Sequence, residues 1–298
     1  MRRLANTLKT AALLGLLTAI VLTLGYWIGG QAGLLAALAL SLGLNVATWL
    51  FSDRLALRAM RARPLSRSEA PGVHAMVAGL AAAAGQPMPR LYVSPVRQPN
   101  AFATGRGPQH AAVCVTEGLL DLLSPRELRA VLGHELAHVH NRDILLSSVA
   151  ATLAGGLTML ADLAWLLPLG PDGDDGDESS PGPLGWLAML VLGSLAATLI
   201  QLAVSRTREF AADDEGAALT GDPLSLADAL EKIHAWTRRL PLPATGDVPA
   251  AAHLMIANPL SGHGLAALFS THPPLYQRVA RLHMLSAAAS PNVRKVYN

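Results

Sequence analysis

The sequence is short of cysteine and short of charge. One cysteine, Cys114, stands among 298 residues, so no internal disulfide can form and a secreted disulfide framework is excluded. The lone thiol reads as a small buried apolar side chain. Charged residues make up only 15% of the chain, against about 25% in a soluble domain. The charge present nearly cancels, leaving +2 and no dense basic block, which argues against nucleic-acid binding. Apolar residues reach 51%, far too many for a disordered chain, and the length allows one large or two ordinary domains.

The missing charge is localised. Runs 10–30, 31–51 and 184–204 contain no charged residue, and 144–169 contains only Asp162. Each is long enough, as a helix rising 1.5 Å per residue, to span a bilayer core of roughly 30 Å. Four transmembrane helices follow, in two pairs. The first run has the basic flank of a signal peptide, but it outlasts an h-region and no clear A-x-A site follows, so an uncleaved anchor is expected. Gly29, Gly30 and Gly33 mark its turn into the second run. For 144–169 and 184–204 the alternative is two long buried helices of a soluble domain.

Arg2, Arg3 and Lys9 precede the first pair, and Arg54, Arg58, Arg61, Arg63 and Arg67 follow it, which places both flanks in the cytoplasm. The loop 171–183 has five acids and no base, leaving it free to cross. The expected organisation is therefore a transmembrane hairpin (1–51), the first part of a cytoplasmic domain (52–143), a second transmembrane pair (144–204) around the acidic loop, and the rest of the domain (205–298).

Within 52–143, residues 68–85 read as a helix ended by Gly85. Short runs at 90–94 and 111–117 read as strands bracketing a loop over 98–107. Ser124-Pro-Arg-Glu127 is a helix start with a serine cap, proline at the first position and glutamate where a capping box needs it. This helix is expected to run through Asp143. Asp222-Pro223 opens another, to about Arg239; 240–274 looks loop-like, and a terminal helix begins near Tyr276.

The chemistry sits on the capped helix, in Gly133-His-Glu-Leu-Ala-His138. His134 and His138, four apart, share a helix face, and Glu135 lies on the adjoining one. Two imidazoles that leave a coordination position open, beside a base for water, are what a catalytic zinc requires. His140 points elsewhere, and the metzincin third histidine is absent, so a further ligand must come from another segment. Glu209 and Asp213, four apart in Ser205-Arg-Thr-Arg-Glu-Phe-Ala-Ala-Asp213, offer one carboxylate for the ion and one to orient a ligating imidazole. Spacing alone only modestly prefers Glu209 as the ligand.

GHELAHVHNRD, SRTREFAADDEGA, PNAFATG, VTEGLL and STHPP, in this order and with these apolar runs, resemble HtpX-type membrane zinc endopeptidases, relatives of the CAAX prenyl protease. The resemblance covers nearly the whole chain. It implies a mostly α membrane protein with a cytoplasmic α+β zincin-like, gluzincin-type catalytic domain. One Zn2+ per chain would be held by His134, His138 and Glu209, with Glu135 as general base and Asp213 behind the ligands. Asn100 would contact substrate, and His272 and Arg278 would stabilise substrate or transition state. Damaged or misfolded membrane proteins are the implied substrates, in quality control at a bacterial inner membrane, with the active site and both termini cytoplasmic. The competing reading is a non-catalytic scaffold or holdase in which zinc is structural. For an extended substrate, the strand 111–116 is the expected pairing edge.

Overall fold

A computed structural model describes residues 2–149, 206–239 and 273–289. Most of the second apolar pair, the acidic loop and His272 fall outside the described residues.

The first helix, α1 (Arg2–Ala59), is broken once, at Gly29 and Gly30, where ψ and then φ leave the helical range. Its two halves fold back on each other, because Asn45 Nδ2 donates to Thr18 Oγ1 across the break at 2.9 Å. This is the expected hairpin, turned by the first two of the three glycines. Residues Gly29–Ala59 are long and apolar enough to cross a membrane, and Leu35, Leu38, Leu40, Leu42 and Leu44 stand exposed along them. The helix passes residue 51 without interruption, so its last turns belong to the domain that follows.

That domain is built on a sheet of four strands: β1 (Arg63–Pro64), β2 (Arg90–Ser94), β3 (Ala101–Thr104) and β4 (Ala112–Thr116). Their order is β1-β2-β4-β3, with β2 and β4 parallel and the other pairs antiparallel. Two expectations are corrected here. Residues 101–104 form a strand within the span read as a loop, and β4 is central, paired on both sides, so the edge belongs to β3. Alternation sorts the two faces. Phe102, Cys114 and Tyr92 align across the strands and pack against Ala56, Leu57 and Met60 at the end of α1. Leu91, Val93, Val113, Val115, Ala101 and Ala103 join the main core under the helices. Cys114 is buried as expected, and burial pushes its thiol up to about 12.

The helices are α2 (Pro71–Ala83), α3 (Glu117–Leu122), α4 (Pro125–His140), α5 (Arg206–Thr220), α6 (Pro223–Arg239) and α7 (Leu275–Ala289). The start of α4 is the capping box read from the sequence: Ser124 Oγ accepts from Glu127 N–H, and Glu127 Oε2 accepts from Ser124 N–H at 2.8 Å. Its end differs. The helix stops at His140, Arg142 takes a left-handed φ of 57°, and a new helical stretch starts at 143. The chain changes direction just beyond the histidines, although no glycine marks the place.

Helix α4 packs along α5, and the two backbones meet at a pair of glycines. A Cβ on Gly216 would stand 2.8 Å from His134 N, and one on Gly133 would stand 2.7 Å from Thr220 Cγ2. Only glycine permits this approach, and it brings the carboxylates of α5 to the imidazoles of α4.

Candidate metal centre

The approach of α4 to α5 assembles three donors from two helices. His134 Nε2 and His138 Nε2 lie 3.2 Å apart, Glu209 Oε1 lies 3.6 Å from His138 Nε2, and Glu209 Oε2 lies 3.9 Å from His134 Nε2. A tetrahedral zinc with bonds of about 2.0–2.1 Å holds its ligand atoms about 3.3–3.5 Å apart, so the spacing suits one ion. The donor set, two imidazoles and a carboxylate, suits zinc as well. The rings stand nearly perpendicular, at 89°, with both Nε2 atoms turned inward.

Each imidazole has a carboxylate behind it. Asp213 Oδ1 lies 3.0 Å from His134 Nδ1, and Asp143 Oδ2 lies 3.2 Å from His138 Nδ1. Such contacts fix the tautomer that leaves Nε2 free for an ion. Spacing left Glu209 and Asp213 nearly interchangeable; the fold turns Glu209 between the two Nε2 atoms and Asp213 to the back of one ring. Asp143 was missed because, five residues past His138, it lies off the ring's face in any continuous helix. The break at Arg142 swings it back, and Asn141 as the C-cap was the available signal.

Arg278 completes the Asp213 side. Its Nε and Nη2 donate to the two Asp213 oxygens at 2.8 and 2.7 Å, its Nη1 lies 3.5 Å from Glu209 Oε2, and the residue is 2% exposed. Burial alone would raise the Asp213 carboxyl, but the Arg278 guanidinium outweighs it and holds the group down at about 2. Burial likewise works to lower His138, yet the Asp143 hydrogen bond and the Glu209 charge carry it up to about 9. Glu135 is fully enclosed, and burial raises its carboxyl against the opposing pull of His134 and His138. It also receives a hydrogen bond from the backbone N–H of Ala103 on β3, so the edge strand touches the general-base candidate directly. Asn100, just ahead of β3, is 1% exposed and accepts from Ala101 N–H through Oδ1.

Residues 67–286 match the model of Peptidase family M48. The chain belongs to that family. It is a metalloprotease, and the His134, His138 and Glu209 cluster fits the metal such an M48 enzyme needs. A Protease HtpX homolog of Kineococcus radiotolerans is 51% identical over 96% of this chain and 99% of its own. Those of Arthrobacter sp. (strain FB24) and Ralstonia nicotianae are 50% and 47% identical, over 94% and 96% of this chain and 96% and 99% of their own. Among solved structures, S. mikatae Ste24p is similar at a TM-score of 0.49 and 17% identity, over 94% of this chain and 66% of that one.

Proposed function

We propose that the chain is a zinc-dependent endopeptidase of a bacterial inner membrane, anchored by four spans, with its site and both termini in the cytoplasm, cleaving damaged or misfolded membrane proteins. The domain boundaries read from the sequence belong to this proposal. Similarity to HtpX homologues over nearly their full length supports the membrane setting. The helix Gly29–Ala59, which runs into the domain bearing the site, supports it physically.

His134, His138 and Glu209 hold one zinc, which when bound supplies a Lewis acid that polarises the scissile carbonyl and acidifies water. Asp213 and Asp143 keep the two rings in register, and Arg278 fixes Asp213. Glu135 takes the proton of the attacking water on a carboxylate oxygen as the water oxygen bonds to the carbonyl carbon. As the C–N bond breaks, the same carboxyl delivers that proton to the leaving amine. Such general-base and general-acid work contributes about 10²–10⁴ in rate. A carboxyl raised by burial is better suited to holding the proton between the two steps than a solvated one.

An extended substrate pairs with the outer edge of β3. The Ala103 N–H that reaches Glu135 supports this, since it sets that edge beside the general base. Asn100 shapes the entry to this edge, and His272 assists there from outside the described residues. The convergence of three donors with Glu135 alongside carries the proposal. Wild type and Glu135→Gln, reconstituted with zinc, test it on an unfolded membrane protein. A loss of at least about 100-fold is expected, and equal cleavage would leave only the scaffold reading.

A further inference from the structure

The end of α1 carries three arginines whose charge no acid answers among the described residues. Arg54, Arg58 and Arg61 are all exposed, and none is in an ion pair there, whereas Arg63, Arg90, Arg97, Arg126 and Arg281 each are. Arg54 and Arg58, four apart, share one side of the helix, and Arg61 follows two residues past its end. Phe51, 42% exposed, lies on that side, with the Arg54 guanidinium 5.4 Å from its ring centre. Leucines, then an aromatic ring, then cations follow the order in which a bilayer passes from acyl chain to headgroup.

Arg61 supplies a second observation. Helix α1 closes with a Schellman pair, Ala62 N–H to Leu57 O and Arg61 N–H to Arg58 O, at 2.9 and 2.8 Å. This motif needs a left-handed residue, usually glycine. Helices α2 and α5 close on Gly85 and Gly221, with φ of 61° and 71°. At the ends of α1 and α4, each beside a long apolar run, Arg61 and Arg142 hold that conformation, with φ of 50° and 57°. A left-handed backbone is unfavourable for any side chain with a Cβ, so these positions accept strain and gain a guanidinium.

We propose that Arg54, Arg58 and Arg61 form a site for the phosphate headgroups of anionic phospholipids at the bilayer surface. The proposal rests on the membrane reading above. Guanidinium groups bind phosphate oxygens in pairs, and three gathered within the last turns and the cap of one helix can grip a headgroup that a diffuse charge would only attract. Because Ala56, Leu57 and Met60 on the same turns pack against the sheet, the headgroup contact sets the height of the catalytic domain above the membrane.

Spin-labelled phosphatidylglycerol and phosphatidylcholine, compared in bilayers containing the full chain, measure the preference as a ratio of motionally restricted lipid. Wild type is expected to favour the anionic lipid about fivefold or more, and Arg54→Gln/Arg58→Gln/Arg61→Gln to bring the ratio close to one. Arg63→Gln/Arg97→Gln/Arg126→Gln removes the same net charge from paired positions and keeps the preference. Arg61→Gly alone lowers the ratio while the melting temperature holds or rises, since glycine relieves the left-handed backbone; an arginine with no part in lipid binding would leave the ratio unchanged. Equal loss in both triple variants, no loss in the first, or displacement of lipid by millimolar inorganic phosphate would each overturn the proposal. If no lipid of either kind is restricted, the membrane reading itself fails, and the protease chemistry stands or falls separately.

Discussion

Asp143 makes the clearest residue-scale prediction. It lies against His138 Nδ1 and away from the inward-facing Nε2, so Asp143→Asn leaves the three ligands in place and removes what orients one of them. Zinc affinity, measured by competition with a fluorescent chelator, is expected to fall about 10–100-fold, while Asp121→Asn on the exposed surface changes nothing. The His138 shift sets a pH dependence. In the metal-free chain its folded value, about 9, lies above the ordinary value near 6.5. Its contribution is therefore complete below pH 6.5 and disappears as pH rises through 9. The melting temperature in chelator should fall across that window. Zinc requires the neutral ring, so its affinity should rise over the same interval, and a chelator titration at pH 6.5 and 9 checks both. The residues of the centre were legible because HExxH and E-x-x-x-D carry their chemistry in helical spacing. Asp143 was not, because its position depends on a left-handed residue that the sequence writes as arginine.

Among the elements, the crossing of α4 and α5 governs the site. Gly216→Ala forces a methyl to within 2.8 Å of the His134 backbone nitrogen, and the helices must part to admit it. Overpacking of this kind costs about 1–3 kcal/mol, and it also separates Glu209 from the imidazoles. Denaturant melts should show the lower stability, and zinc titration a weakened site; Gly221→Ala, outside the crossing, should show only the first. Helix starts were readable throughout, since Ser124 with Glu127 and Asp222 with Pro223 signal themselves locally. Strand β3 was not: Ala101-Phe-Ala-Thr104 has four residues, all buried, and so lacks the alternation that marks a half-exposed strand. With β3 unseen, β4 passed for the edge. Gly133 and Gly216 were likewise silent, because a glycine needed for helix contact looks in sequence like any weak helix former.

For the whole molecule, the scarcity of charge divides the chain into an apolar part and an ordinary mixed domain, and α1 joins them as one continuous rod from Gln31 to Ala59. Cys114, buried and with its thiol pushed up to about 12, gives the native chain a silent background for topology labelling. Ser179→Cys in the acidic loop should react with an impermeant maleimide only from the side opposite the termini; labelling from the same side would refute four spans. The central claim is that zinc held by two helices and a proton carried by Glu135 together make a peptidase. Zinc content and cleavage rate, measured on the same reconstituted preparations of wild type, Glu209→Ala and Glu135→Gln, test it most directly. One zinc per chain with cleavage is expected for wild type, loss of both for Glu209→Ala, and retained zinc with cleavage at least about 100-fold slower for Glu135→Gln. Undiminished cleavage by Glu135→Gln, or by Glu209→Ala, would contradict it.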